Sequence, residues 1–96
     1  MGGRERKRAS SHAPGLTVVA YDVGDDRTRQ RIACILLGAG ARRIQKSVFE
    51  LNVDWRTLAR IRQRLKRLCR RGDSIVYYTL CARCRKSVIY EDLADD

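Results

Sequence analysis

The run Leu-Thr-Val-Val-Ala-Tyr-Asp at residues 16–22 constrains this chain more than any other stretch. Its first six residues, apolar or β-branched for the most part, carry no charge, as a strand buried on both faces should, and then a carboxylate interrupts them. Side chains alternate along a strand, so Asp22 shares a face with Val18 and Ala20, and Gly24 ends the element two residues later. A carboxylate is thus held at the mouth of a rigid strand, beside a turn. The residues alone leave two readings of Asp22: an aspartate that closes the turn through the backbone, or a reactive centre.

A chain of 96 residues is one domain with a thin core, for which a partner subunit is the expected means of covering apolar surface. No run approaches the roughly 20 apolar residues that cross a bilayer, and the first residues lack the apolar core of a signal peptide. The expectation is a soluble, cytoplasmic protein with no membrane partner. A formal charge of +10 favours a polyanion, with nucleic acid the default. Residues 1–15 combine glycines, a basic cluster and the single histidine, His12, with nothing apolar enough to offset the entropy of ordering. They read as a disordered basic arm, which removes a histidine base from the folded domain.

Beyond the strand, Asp25 or Asp26 begins a helix whose Ile32, Ile35, Leu36 and Ala39 recur at helical spacing, and Gly38 and Gly40 stop it. Capping is the favoured role of the two aspartates, with metal contact through water as the other. Residues 41–53 carry a strand pattern long enough to split into a hairpin turning near Gln45 and Lys46, with 47–52 returning; one bent strand fits nearly as well. Phe49 reads as core before base-stacking platform.

Asp54 caps a second helix with the apolar stripe Leu58, Ile61, Leu65 and Leu68. Its other face bears Arg56, Arg60, Arg62, Arg64, Lys66, Arg67, Arg70 and Arg71 with almost no acidic partner. A merely solvated helix face mixes both signs, so the imbalance favours tracking of phosphates. The residues assigned to nucleic-acid binding are Arg27, Arg60, Arg64, Arg67 and Arg71. A strand follows at 74–80, then Cys81-Ala-Arg-Cys84, a last short strand at 87–90 and an acidic tail at 92–96. The C-x-x-C is half of a zinc site or a redox pair, whereas Cys34 and Cys69 fall on or near apolar stripes and are expected to be buried.

Strand, helix, two strands, helix, strand is the order of a ferredoxin-like α+β sandwich, here over residues 16–91, with an antiparallel sheet and an extra C-terminal strand. The residues also resemble a known family. Val-Val-Ala-Tyr-Asp-Val at 18–23 with Asp25, Asp26 and the arginines after them, then Arg-Ile-Gln-Lys-Ser-Val-Phe-Glu at 43–50, are similar to the CRISPR-associated Cas-two proteins. The resemblance implies that Asp22 binds a divalent metal, magnesium or manganese, and faces its mate across a homodimer. It implies that Arg29, Arg31, Arg43 and Phe49 serve nuclease activity, and that the last strand completes the partner's sheet. It also implies a nonhydrolytic role, in which the dimer sits between two dimers of the CRISPR integrase and holds a prespacer duplex. The basic arm and Cys81-x-x-Cys84 depart from that pattern.

Residue chemistry narrows the mechanism. Magnesium keeps several waters and needs one or two carboxylates, so a single Asp22 is too few while two related by a twofold axis suffice. The expected enzyme is a metal-dependent phosphodiesterase with Arg29, Arg31 or Arg43 offsetting developing charge, and the resemblance implies that it cuts single-stranded RNA or duplex DNA and takes part in spacer integration. The other expectation is an architectural dimer that bridges integrase and DNA without cutting. A generic RNA-binding sandwich is disfavoured, because the first strand lacks paired aromatics.

Overall fold

The computed structural model describes residues 15–91 and 93. The basic arm, His12 and the acidic tail therefore lie outside the described residues, apart from Gly15 and Leu93. The elements are β1 (Leu16–Asp22), α1 (Asp26–Gly38), β2 (Arg42–Gln45), β3 (Val48–Leu51), α2 (Trp55–Leu68), β4 (Ser74–Leu80) and a single helical turn, α3 (Ala82–Arg85). The strands form one antiparallel sheet in the order β2-β3-β1-β4, the ferredoxin-like arrangement. No described helix is long and apolar enough to cross a membrane.

β1 pairs with β4 along its whole length, from Leu16 opposite Leu80 to Asp22 opposite Ser74, and with β3 from Thr17 opposite Leu51 to Ala20 opposite Val48. Both helices cover one face of this sheet, where Val19, Tyr21 and Phe49 meet Ile32 and Leu36 of α1 and Ile61 and Leu65 of α2. Burial of β1 on both faces was the expectation; the structure corrects it. Val18 and Ala20 are only half-buried and Asp22 is exposed, because the helices shield one face and nothing among the described residues shields the other. The long apolar run thus reports a strand with a second apolar face left open.

The hairpin reading holds, with β2 and β3 separated by Lys46 and Ser47, and a bulge between Arg43 and Gln45. Gly15 fits one demand of the sheet: a Cβ there would lie 2.1 Å from the Leu80 carbonyl oxygen, so only glycine lets the chain enter β1 beside the end of β4. Gly40, at φ +90°, supplies the left-handed residue that turns the chain out of α1.

Two further expectations are corrected. Residues 87–90 form no strand in this chain, and all of them are exposed. A strand exists only through a neighbour's ladder, and α3 turns the backbone away from the sheet before this segment begins. Cys34 is exposed rather than buried, and Cys69 is half-buried at the end of α2. Two residues of helix rotate the side chain by about 200°, so Cys34 points away from the buried face carrying Ile32 and Leu36.

Each long helix starts on an aspartate. Asp25 accepts from the Thr28 N–H and hydroxyl, both at 2.9 Å, and Asp54 accepts from the Thr57 N–H at 2.7 Å. Asp54→Ala is expected to cost about 1 kcal/mol in urea unfolding, and Asp54→Asn much less, since asparagine caps as well as aspartate. The Thr28 backbone N–H, then its hydroxyl, hold the Asp25 carboxyl below its ordinary 3.8. A depressed carboxylate stabilises the fold fully above its unfolded value and loses that contribution as pH falls through the folded one. Asp25→Asn should therefore flatten stability against pH below about pH 4, measured by urea midpoints across the acid range, with little change at neutral pH.

Candidate metal and nucleic-acid sites

The end of β1 is fixed by contacts that leave Asp22 out. Asp73 closes the turn, with one carboxylate oxygen accepting from the Gly24 N–H at 3.3 Å and the other from the Arg70 N–H at 2.8 Å. Arg29 reaches back from α1 to donate to the Val23 carbonyl at 2.8 Å and the Gly24 carbonyl at 3.1 Å, while also pairing with Asp26. The turn-closing role open to Asp22 in the sequence is filled by Asp73. Asp22 has no hydrogen-bond or ion-pair partner among the described residues, and it projects from the sheet face opposite the helices.

That open face is apolar around it. Ala20 lies between Val48 and Val76, and Val18 between Glu50 and Tyr78. Val76 is 42% and Tyr78 61% exposed, so the face offers a surface for another molecule and not a core. An exposed, unengaged carboxylate suits a hard cation such as magnesium or manganese, which would draw remaining oxygens from water or phosphate. Among the described residues no group of three or more His, Cys, Asp or Glu could hold a metal.

The remaining residues assigned to catalysis divide between two places. Arg29 and Arg43 line a cleft of about 640 Å³ between α1 and the β2–β3 turn, together with Tyr21, Lys46 and Ser47. Arg43 donates twice to the Lys46 carbonyl, at 3.3 and 2.9 Å, and its guanidinium lies 5.0 Å from the Phe49 ring centroid. Phe49 is fully buried and stacks on Tyr21 at 6.0 Å, so it meets no substrate; it positions Arg43 from below. The Tyr21 hydroxyl is buried beside Arg43 without a well-formed hydrogen bond. Burial pushes its pKa up, and the charges of Arg43 and then Arg29 pull the other way. Sequence reasoning missed Tyr21 and Asp73, although Tyr21 alternates with Asp22 and so had to face the helices.

Arg31 lies elsewhere. It shares with Arg27, Arg64 and Arg67 a groove between α1 and α2 of about 560 Å³, floored by Ile35 and Leu68. Arg60 joins Arg64 in the adjoining stretch of that helix–helix seam, beside Gly38. Arg71 is exposed past the end of α2 and lines neither stretch. Four guanidinium groups converge here with no acidic side chain among the lining residues. Such a seam can hold phosphates by charge and bidentate hydrogen bonds, without reading sequence.

The comparisons with known proteins agree with this architecture. The family model for CRISPR associated protein Cas2 matches residues 16–88. A CRISPR-associated endoribonuclease Cas2 of Chloroflexus aurantiacus is 37% identical over 73 residues, covering 74% of this chain and 77% of the relative. A CRISPR-associated endonuclease Cas2 of Thermus thermophilus is 39% identical over 69 residues, covering 71% and 76%. Among solved structures, Streptococcus pyogenes Cas2 superposes with a TM-score of 0.71 at 25% identity, covering 81% of this chain and 100% of that one. With the family's pattern spanning the whole sandwich from β1 past α3, this chain belongs to the CRISPR-associated Cas2 family.

Proposed function

We propose that two copies of this chain pair through the open sheet face and act as a metal-dependent endonuclease in CRISPR adaptation, with one Asp22 from each copy meeting at a shared cation. The observation that carries the reading is the unengaged carboxylate of Asp22 at the end of a rigid strand, on an apolar face that one chain leaves open. The names of the relatives, endoribonuclease and endonuclease, support phosphodiester cleavage as the chemistry and leave single-stranded RNA and duplex DNA both in play. Magnesium or manganese, when bound, would polarise a phosphate oxygen and lower the barrier to attack by water. The protein's part is to hold Asp22 immobile, which the β1–β4 ladder does, and to keep cationic side chains near the scissile phosphate.

On this reading the arginines play unequal parts. Arg29 and Arg43 spend donors on backbone carbonyls and so act first by setting the shape of the β1 end and the β2–β3 turn. Arg27, Arg31, Arg64 and Arg67 are the better phosphate binders, because no acidic side chain lines their groove. This separation of binding from Asp22 also favours the second reading, an architectural dimer that holds prespacer DNA between integrase dimers without cutting it. A groove distant in role from the carboxylate binds equally well in either case.

Asp22→Ala is expected to lower magnesium-dependent cleavage by about 100-fold or more, several kcal/mol of barrier, in parallel assays on single-stranded RNA and duplex DNA with and without chelator. Its urea midpoint should match the parent's, because the side chain has no hydrogen-bond or ion-pair partner to lose among the described residues. Full metal-dependent cleavage by the variant would end the catalytic reading; no cleavage by either protein, with spacer acquisition intact in both, would select the architectural one. Arg64→Glu with Arg67→Glu should weaken duplex binding and reduce the slope of log affinity against log salt by about two, if each arginine meets one phosphate. An unchanged slope would remove the groove from the binding surface.

A further inference from the structure

Tyr21 is 6% exposed, and its hydroxyl is the one buried side-chain polar atom without a hydrogen-bond partner among the described residues. An unmet hydroxyl costs stability, and phenylalanine would fill the same space without it. The ring stacks on Phe49, so the end that reaches the cleft between α1 and the β2–β3 turn is the hydroxyl, beside Arg43 and Arg29. Arg43 and Lys46 are exposed and pair with no carboxylate among the described residues, whereas the charge of Arg29 is offset by Asp26. The cleft therefore carries a surplus of two positive charges around a donor that has nothing to bond.

We infer that this cleft is a pocket for a terminal phosphate, the phosphomonoester at the end of a nucleic-acid strand, with the Tyr21 hydroxyl donating to one of its oxygens. A phosphomonoester carries close to two negative charges at neutral pH and offers three acceptor oxygens. It balances the surplus and keeps an oxygen for the hydroxyl after Arg43 and Lys46 are met. A phosphodiester inside a strand carries one charge and has a sugar on either side, so it cannot enter end-on to an atom with no exposed surface. Entry requires rotation of the exposed Arg43 side chain, while the Tyr21 ring stays held by Phe49 and by the β1 ladder. Burial keeps the proton on Tyr21 well past neutral pH, so the group is a donor there.

The surroundings of the cleft select a strand end over a free nucleotide. Gln30 and Cys34, both exposed on α1, line this cleft on one side and the arginine seam on the other. A strand whose backbone follows Arg31, Arg64 and Arg67 can cross α1 over those two residues and finish in the cleft. Leu37, 47% exposed and part of the same lining, gives the last sugar and base an apolar surface. The choice of a strand rests on the seam as the nucleic-acid surface proposed above; the pocket itself needs neither Asp22 nor cleavage.

The test measures the affinity of the full chain for one internally labelled single-stranded DNA carrying a 5′-phosphate, a 3′-phosphate or hydroxyls at both ends. Fluorescence anisotropy is read with chelator present, so that no metal-dependent cleavage intervenes. One phosphorylated form should bind about tenfold tighter than the hydroxyl form. Tyr21→Phe should remove most of that preference and leave the hydroxyl form unaffected, with a urea midpoint equal to or above the parent's, because an unmet group is lost. Lys46→Gln, a change at an exposed side chain, should also shrink the preference. Arg64→Glu with Arg67→Glu should weaken all three forms alike and keep their ratio, so failure of the seam and failure of the pocket read differently. Equal affinity for the three forms, a preference that survives Tyr21→Phe, or a lowered urea midpoint in that variant would overturn the pocket. Competition by adenosine 5′-monophosphate or inorganic phosphate, at matched ionic strength and at concentrations near the strand's own Kd, would overturn the strand end in favour of a free anion.

Discussion

The seven-residue ladder between β1 and β4 is the constraint on which the rest of the molecule depends. It brings the entry of one strand beside the exit of the other, so that Gly15 meets Leu80 at one end while Asp22, Ser74 and Asp73 gather at the other. A slip of one residue would reverse every side chain of β1, placing Asp22 among the helices and Tyr21 outside. The core forbids it, because Val19, Tyr21 and Val23 fit the space beneath α1 and α2. The position of the candidate metal ligand is therefore a by-product of hydrophobic packing, and a strand this well paired holds a carboxylate still with no contact to the carboxylate itself.

Charge is divided with similar economy. Among the described residues most basic side chains lie on a helix or a turn, yet the arginines do two different things. Arg29 and Arg43 point at backbone carbonyls whose lone pairs would otherwise go unmet at strand ends, and Arg43 adds the face of Phe49. Those contacts stabilise the fold. Arg27, Arg31, Arg64 and Arg67 line one groove with no acidic side chain in its lining, an arrangement whose like-charge repulsion a bound polyanion would screen. A surface that is unfavourable in the free protein is what an affinity built on counterion release requires.

How much of this the chain disclosed beforehand follows from which interactions are local. Asp25 and Asp54 were legible as caps because a cap is decided within four residues, and the stripe Leu58, Ile61, Leu65 because helical periodicity survives any tertiary context. The split of Arg29 from Arg31 was legible too, had the rotation of about 200° between them been applied, as was the inward turn of Tyr21 opposite Asp22. Other features had no local signal. That Asp73, rather than Asp22, holds the turn after β1 depends on a contact between residues 49 apart. Residues 87–90 read as a strand because Val88, Ile89 and Tyr90 suit one, but a strand is a relation between two segments and the second is missing from the described chain.

Three features of the single chain are incomplete in the same sense. Asp22 is one carboxylate where a cation needs more oxygen; Val76 and Tyr78 are apolar side chains in water; β4 is an edge strand with unpaired backbone groups on its outer side. A domain of this size has little core to spare for such exposure, and soluble monomers blunt an edge with charge, proline or a bulge. β4 carries none of these along Ser74–Leu80, and its inventory is serine, threonine, leucine, tyrosine and β-branched residues. Under the proposed pairing a second copy relieves the first two deficits together, because the apolar face and the carboxylate lie on one surface, and a partner's free segment at 87–90 is suited to the third. One assembly step would then stabilise the fold and complete the site, which ties nuclease competence to the same surface that keeps the sheet out of water.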